Sequence, residues 1–348
     1  MAAPPITRDR PPLRVGTLAD TPMLTGPLET RRALLERVSA TGLDHVFVAD
    51  HISFFTGLGM DGLIQAATIA ALEPNLKIEI GVYLLALRHP LPVARQIASL
   101  CESAPGRLIM GVGVGGEDRH EVEICGIDPA TRGRRTNASL IALRGLLSGK
   151  PATQHDDFFD FDEALIVPAP SPPVPFVIGG RSNAALRRAA LHGDGWLGVW
   201  CSPKRFAAVC GEIDDLATGR SHPLPTEAWD HGLQVWVGLD SNRGRARERL
   251  AAAMQGMYQI PFENFERYSP FGTAEEIADF MIAYSESGCR HFNIMPIADS
   301  TEAAIEGVAE IRERIAAATA TATAAATAGN EGEGAGNGAG AGAGAENG

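Results

Sequence analysis

The sequence is short of several things. No run of about 18 apolar residues occurs in its 348 positions, so no transmembrane helix is expected. Met1–Pro12 has four prolines and three charges but no apolar segment, which reads as a disordered arm rather than a secretory signal peptide. The five cysteines (Cys101, Cys125, Cys201, Cys210, Cys289) are scattered, odd in number and lack a CxxC pair. That argues against a zinc ribbon or disulfide framework and for a reducing, cytoplasmic setting. A basic excess is missing too. The formal charge is −12, which argues against nucleic acid as a partner. Among nine histidines there is no HxH and no HExxH, and His120 stands alone in a polar segment, so no metal is expected.

What is present is an ordinary globular balance, 45% hydrophobic and 21% charged, long enough for a large core. Glycine is unevenly spread, with nine of 39 in Gly329–Gly348. From Ala316 onward large periodic apolar residues stop. Residues 317–348 therefore read as a disordered low-complexity tail, with alanine extending the preceding helix by a turn or two. Residues 13–316 form the expected folded unit.

Within it, short apolar strands alternate with amphipathic helices. The strands are expected at Leu13–Leu18, His45–Ala49, Lys77–Leu85, Arg107–Val114, Val174–Ile178, Gly195–Trp200, Leu233–Leu239 and His291–Met295. Helices are expected between them, for example Thr30–Thr41, Gly62–Leu72, Pro90–Glu102, Asn183–Leu191 and Ala274–Glu286. Eight such βα units predict an α/β fold, a single (β/α)8 TIM barrel with insertions, the main one at Lys150–Pro173. In such barrels the chemistry sits at the C-terminal ends of the strands.

Four strand ends carry candidate residues. Asp50-His51 follow the second strand: a carboxylate beside an imidazole can handle a proton, or can be a helix cap followed by a loop histidine. Arg88 follows the third and could hold an anion or be a solvated loop arginine. The fourth runs into Gly111-Val-Gly-Val-Gly-Gly116, a formal GxGxxG. No apolar helix follows at once, and about 20 residues on lies TRGRR rather than an acidic strand end, so the dinucleotide reading is rejected. These glycines instead let a flat ligand approach the backbone. The fifth strand ends in Gly179-Gly180-Arg181-Ser182-Asn183 and enters a helix, which suits a phosphate, or a plain Ser/Asn cap after a glycine turn.

Four segments, GLDHVFVADH (Gly42–His51), Arg88–Gly116, GIDPATRGRR (Gly126–Arg135) and PFVIGGRSNAALRRAALHGDGWL (Pro175–Leu197), carry a family likeness. The chain resembles the bacterial luciferase-like monooxygenase superfamily, most closely its coenzyme F420-dependent oxidoreductase branch. The resemblance implies a TIM barrel and hydride transfer between the deazaflavin F420 and a small organic substrate. Asp50 and His51 would flank the deazaflavin ring as catalytic residues, with His51 handling a proton. Gly81 and Val82 would form a non-proline cis peptide backing the ring. Gly113, Val114 and Gly115 would lie beside the ring and ribityl chain, and Gly179, Gly180, Arg181, Ser182 and Asn183 would hold the phosphate. Arg88 and Arg181 would supply a basic rim for the anionic cofactor. The family also implies a homodimer and a separate reductase or F420-reducing enzyme. Two alternatives stand beside this reading: a two-component monooxygenase using reduced FMN and O2, and a cofactor-less binding protein. The chain departs from F420-using relatives in having Phe55 four residues after the histidine, where some carry an indole. It also has Gly116 ahead of Glu117, where some carry an acidic residue at once.

Overall fold

The computed structural model describes residues 12–334 apart from 56, 58, 116, 117 and 221–228, and side chains as far as 321. The expected N-terminal arm, all but its last residue, and the end of the tail lie outside the described residues. So does the Gly116-Glu117 pair. Among the described residues no helix is long and apolar enough to cross a membrane.

Eight parallel strands close into a barrel: β1 (Arg14–Leu18), β2 (His45–Val48), β3 (Lys77–Leu84), β4 (Leu108–Gly113), β5 (Phe176–Gly179), β6 (Gly195–Val199), β7 (Gly232–Leu239) and β8 (His291–Ile297). Each pairs with the next, and β8 returns to β1 with Arg14 opposite His291 and Thr17 opposite Ile294. The strands agree with the expected ones to within two residues at each end. Their apolar runs bury outward-facing side chains such as Val46, Ile78 and Ile178 under the helix layer, as a parallel sheet covered by helices demands.

Helix starts follow local chemistry. Asp61 caps Gly62–Leu72, Ser182 caps Asn183–His192, and Thr273 with Glu276 makes a capping box on Ala274–Glu286. The expected insertion holds an antiparallel hairpin, Ala152–His155 with Asp160–Ala164. It lies along the helix Arg132–Leu146, where Gln154 donates to the Ala138 carbonyl.

One boundary differs plainly. The last helix runs Thr301–Gly334, beyond the expected end at Ala316. Alanine is the best helix former, and the Thr319 hydroxyl reaches both the Ile315 carbonyl and Ser285 on the neighbouring helix.

Candidate functional site

Asp50 and His51 leave β2 together and take different posts. Asp50 is buried, and both its oxygens are engaged. Oδ1 accepts from Gly62 N at 2.9 Å and Arg88 Nη2 at 2.8 Å; Oδ2 accepts from Leu84 N at 2.9 Å and Arg88 Nη1 at 2.8 Å. Arg88 also meets Asp61 at 3.0 Å and lies 4.2 Å over the Tyr83 ring. Burial pushes the Asp50 carboxyl above its ordinary range despite the guanidinium beside it. Arg88 is not a free cation for an anionic ligand, because a bidentate carboxylate fills its fork. Asp50 locks the ends of β2 and β3 to the helix Gly62–Leu72, with both oxygens engaged by the protein.

His51 is half-exposed, and its Nδ1 lies 2.9 Å from Glu121 Oε2. Glu121 is itself buried, and its other oxygen accepts from Ile52 N at 2.6 Å and Ser53 N at 2.9 Å. An ionised carboxylate only accepts, so Nδ1 carries the hydrogen and Nε2 is the ring nitrogen left for a ligand. The ring stacks on Phe54 at 4.1 Å. Asp118 completes the latch: it caps the helix Arg119–Ile124 and accepts from Phe55 N at 2.7 Å. Glu121 escaped the sequence reading. The one signal for it was the Asp118-x-x-Glu121 spacing of a capping box, but here the glutamate reaches across to the β2 loop instead of back to its own cap.

Beneath the mouth, the barrel interior holds a buried polar network. His291 Nε2 lies 2.6 Å from Glu79 Oε2, Asn293 donates to Glu79 Oε1 at 2.8 Å, and the Asn293 carbonyl oxygen lies 2.7 Å from His45 Nε2. On the other side Asp230 faces His291 Nδ1 at 3.4 Å and pairs with Arg14. Donor atoms of His45, Glu79 and His291 lie within 4.8 Å of one another, a spacing a metal ion could use. Burial alone would lower His291, but Glu79 and Asp230 hold it up to about 9, which favours its imidazolium form. His45 is pushed down to about 4 by burial and by that imidazolium. Glu79 and Asp230 lie below the usual carboxylate range, against burial, because His291 faces both.

A pH dependence follows. A group whose pKa is raised on folding stabilises fully below its unfolded value, near 6.5, and loses that contribution as pH rises through about 9. The loss is on the order of 3 kcal/mol. The two carboxylates and His45 act on the acid side, where stability falls as pH drops. The melting temperature is therefore expected to decline on both sides of neutrality. A level melting temperature from about pH 7 to about pH 10 would show that His291 is not the folded state's imidazolium.

Above this network the Gly81–Val82 peptide is cis, the position the resemblance implies. The β3–β4 register shifts between Ile80 and Tyr83, which turns Val82 into the barrel. There its methyls occupy the space that Gly113 and Gly179 leave: a Cβ on Gly113 would sit 2.4 Å from Val82 Cγ2, and one on Gly179 3.0 Å from Cγ1. So these two glycines first serve to seat Val82, and it is Val82 that faces the mouth. Val114 and Gly115 follow at the end of β4, where the Gly115 carbonyl accepts from Arg132 Nε at 3.3 Å.

After β5, Gly180 takes φ +125°, a region open to glycine, and lets the chain turn into the helix Asn183–His192. Ser182 Oγ accepts from Ala185 N at 3.2 Å as its cap. Arg181 is exposed, lies 5.0 Å over the Trp200 ring, and has no carboxylate at ion-pair distance among the described residues. His51, Gly113–Gly115 and Gly179–Asn183 thus stand at the C-terminal ends of their strands, with Gly81–Val82 inside β3 two residues short of its end. Asp50 and Arg88 brace the ends of β2 and β3.

A family model described as luciferase-like monooxygenase matches residues 13–328. Among curated proteins, an uncharacterized protein of Mycobacterium tuberculosis is 33% identical over 47% of this chain and 57% of its own. The chain thus spans little more than half the length of the first curated relatives it matches. An F420-dependent glucose-6-phosphate dehydrogenase of Nakamurella multipartita is 30% identical over 68% of this chain and 71% of its own. Among solved structures, an F420-dependent secondary alcohol dehydrogenase in complex with an F420-acetone adduct superposes with a TM-score of 0.73 at 20% identity, covering 88% of this chain and 99% of that one. The oxygenating constituent of 3,6-diketocamphane monooxygenase from Pseudomonas putida, in complex with FMN, gives 0.67 at 15%, covering 88% and 98%. At these identities the two structures speak for the fold alone.

Proposed function

Because the chain belongs to the luciferase-like monooxygenase family, we propose that it is an oxidoreductase transferring a hydride between coenzyme F420 and a small organic substrate. The observation that carries this reading is the His51–Glu121 pair: a buried carboxylate fixes the imidazole at the mouth and leaves Nε2 for a proton. Likeness over two-thirds of both chains to a dehydrogenase named as F420-dependent supports the choice of cofactor.

The mouth suits a flat, phosphate-bearing group on its own chemistry. The first-turn N–H groups of the helix Asn183–His192 and Arg181, which meets no carboxylate among the described residues, favour a phosphate. Val82, raised by the shifted strand, offers an apolar seat for a planar ring. When bound, the deazaflavin supplies or accepts the hydride. The chain's own residues do the rest: Gly179–Asn183 anchor, Val82 and Val114-Gly115 seat the ring, Asp50–Arg88 brace the β2 and β3 ends, and His51 holds or delivers the proton.

The test is anaerobic titration of the full chain with F420, followed by quenching of deazaflavin fluorescence. Quenching at micromolar F420 is expected; tight binding of FMN with none of F420 would sink this version. The family description and the FMN-bound structural neighbour favour a second reading, a monooxygenase using reduced FMN and O2. Oxygen uptake coupled to a hydroxylated product would establish it, whereas anaerobic turnover supports the deazaflavin. We also propose that the protein works as a homodimer, which light scattering at micromolar concentration would refute by giving a monomer mass.

A further inference from the structure

Gln234 stands between the buried polar network and the mouth. It lies on β7, in register with Asn293 of β8 on one side and Val199 of β6 on the other. β7 and β3 are not neighbours in the barrel, yet a Cβ on Gly81 would sit 3.1 Å from Gln234 Oε1 and 3.2 Å from Asn293 Nδ2. Both carboxamides therefore reach inward, across to Gly81. Val82, the next residue, packs with the apolar Ile109, Val177 and Leu197.

The two carboxamides differ in what they meet. Asn293 is buried and engaged at both ends: Nδ2 donates to Glu79 Oε1 at 2.8 Å, and Oδ1 faces the Nε2 atoms of His45 and His291 at 2.7 and 3.1 Å. Gln234 is half-exposed, as are Val82 and Val199 beside the same space. Its Oε1 is covered, yet it meets no donor among the described residues. A covered carboxamide oxygen without a donor is destabilising. Such breaches of polar pairing fall chiefly where a protein has a function to serve.

We infer that Gln234 is a ligand-binding residue, whose carboxamide hydrogen-bonds the polar edge of a planar ring seated on Val82. The edge it fits is an imide, an N–H beside a C=O, because a carboxamide offers an acceptor and a donor side by side. The last torsion of glutamine is soft, so a small turn brings Oε1 out to such an edge. Flavins and deazaflavins share this edge in their pyrimidine ring. The inference thus deepens the proposed function and rests on its flat-ring site, but not on the choice between F420 and FMN.

Fluorescence titration of the full chain and of Gln234→Met with F420, with FMN and with their N3-methylated forms tests it, beside thermal melts without ligand. Methionine keeps the length of the side chain and drops both hydrogen-bonding ends. The variant is expected to bind the ring about tenfold more weakly, yet to melt no lower than the natural protein, since the fold loses no hydrogen bond. N3-methylation removes the N–H that Gln234 takes. It is expected to weaken binding to the natural protein about tenfold and to matter much less to the variant. Equal affinity of variant and natural protein, or a methylation penalty as large in one as in the other, overturns the inference and leaves the cofactor reading standing. So does a variant that melts several degrees lower or fails to fold, which would make Gln234 a structural residue. The methylation arm needs no variant: a methylated ring that binds the natural protein as tightly as its parent overturns the inference by itself. If FMN shows the expected pattern and F420 does not bind, the choice of F420 falls and the role of Gln234 stands. A natural protein that binds neither ring overturns both.

Discussion

Asp50→Ala is expected to destabilise the protein by about 3–5 kcal/mol, the cost of stranding one half of a buried ion pair. Four contacts disappear at once: two from the Arg88 guanidinium and two from the Gly62 and Leu84 backbone N–H groups. The guanidinium keeps Asp61, at the edge of solvent, the Leu84 carbonyl at 3.3 Å and the aromatic face of Tyr83. The pair as a whole need not stabilise much, since burial opposes ionised Asp50. It is the broken pair that is costly. Hence the double variant Asp50→Ala/Arg88→Met should recover part of the loss, and the cycle should show strong coupling. Thermal melts of the three variants measure this. A single variant that melts with the natural protein would mean that Asp50 is not the brace described.

The same residue shows what a sequence can and cannot carry. Asp50-His51 stood out as a carboxylate beside an imidazole, and the strand before it placed both at the barrel mouth. Adjacent residues at a strand end point to opposite sides, so one goes under the helix layer to Arg88 and the other to the mouth. Their partners lie 38 and 70 positions away, a distance that no local spacing reveals. Arg88 was visible, yet its role depends on Asp50 being buried beside it. Glu121 lies in the polar run EDRHEVE, where nothing local sets it apart from its acidic neighbours.

The barrel itself was legible for the opposite reason. Eight apolar runs separated by helical periodicity are local patterns, and closure follows from their number. The buried His45–Glu79–His291 network was not legible, because strands that read as apolar hid single polar residues at inward positions. The last helix was read short because glycine further along weighed against alanine, whose helix preference favours extension through the Ala/Thr run after Ala316.

His51→Ala is expected to lower kcat/KM by about 10²–10⁴, the usual worth of a positioned acid–base group. The assay is anaerobic oxidation of reduced F420 with the carbonyl compound that the natural protein turns over fastest. Glu121→Gln separates position from charge. The amide can still accept from His51 Nδ1, so the ring stays near its place, but the imidazolium loses its counter-charge. Turnover should then fall while F420 affinity stays the same. Glu121→Ala removes the anchor altogether and leaves the Ile52 and Ser53 N–H groups without their acceptor. The β2 loop then loosens around His51, and a displacement of about 1 Å at such a group can cost about 10²-fold in rate. A purely structural glutamate would lower melting temperature in both variants and leave the turnover of the folded protein in place. A fully active His51→Ala protein would move the proton handling to another group, and one that is active with neither F420 nor FMN would return the chain to the binding proteins of its fold.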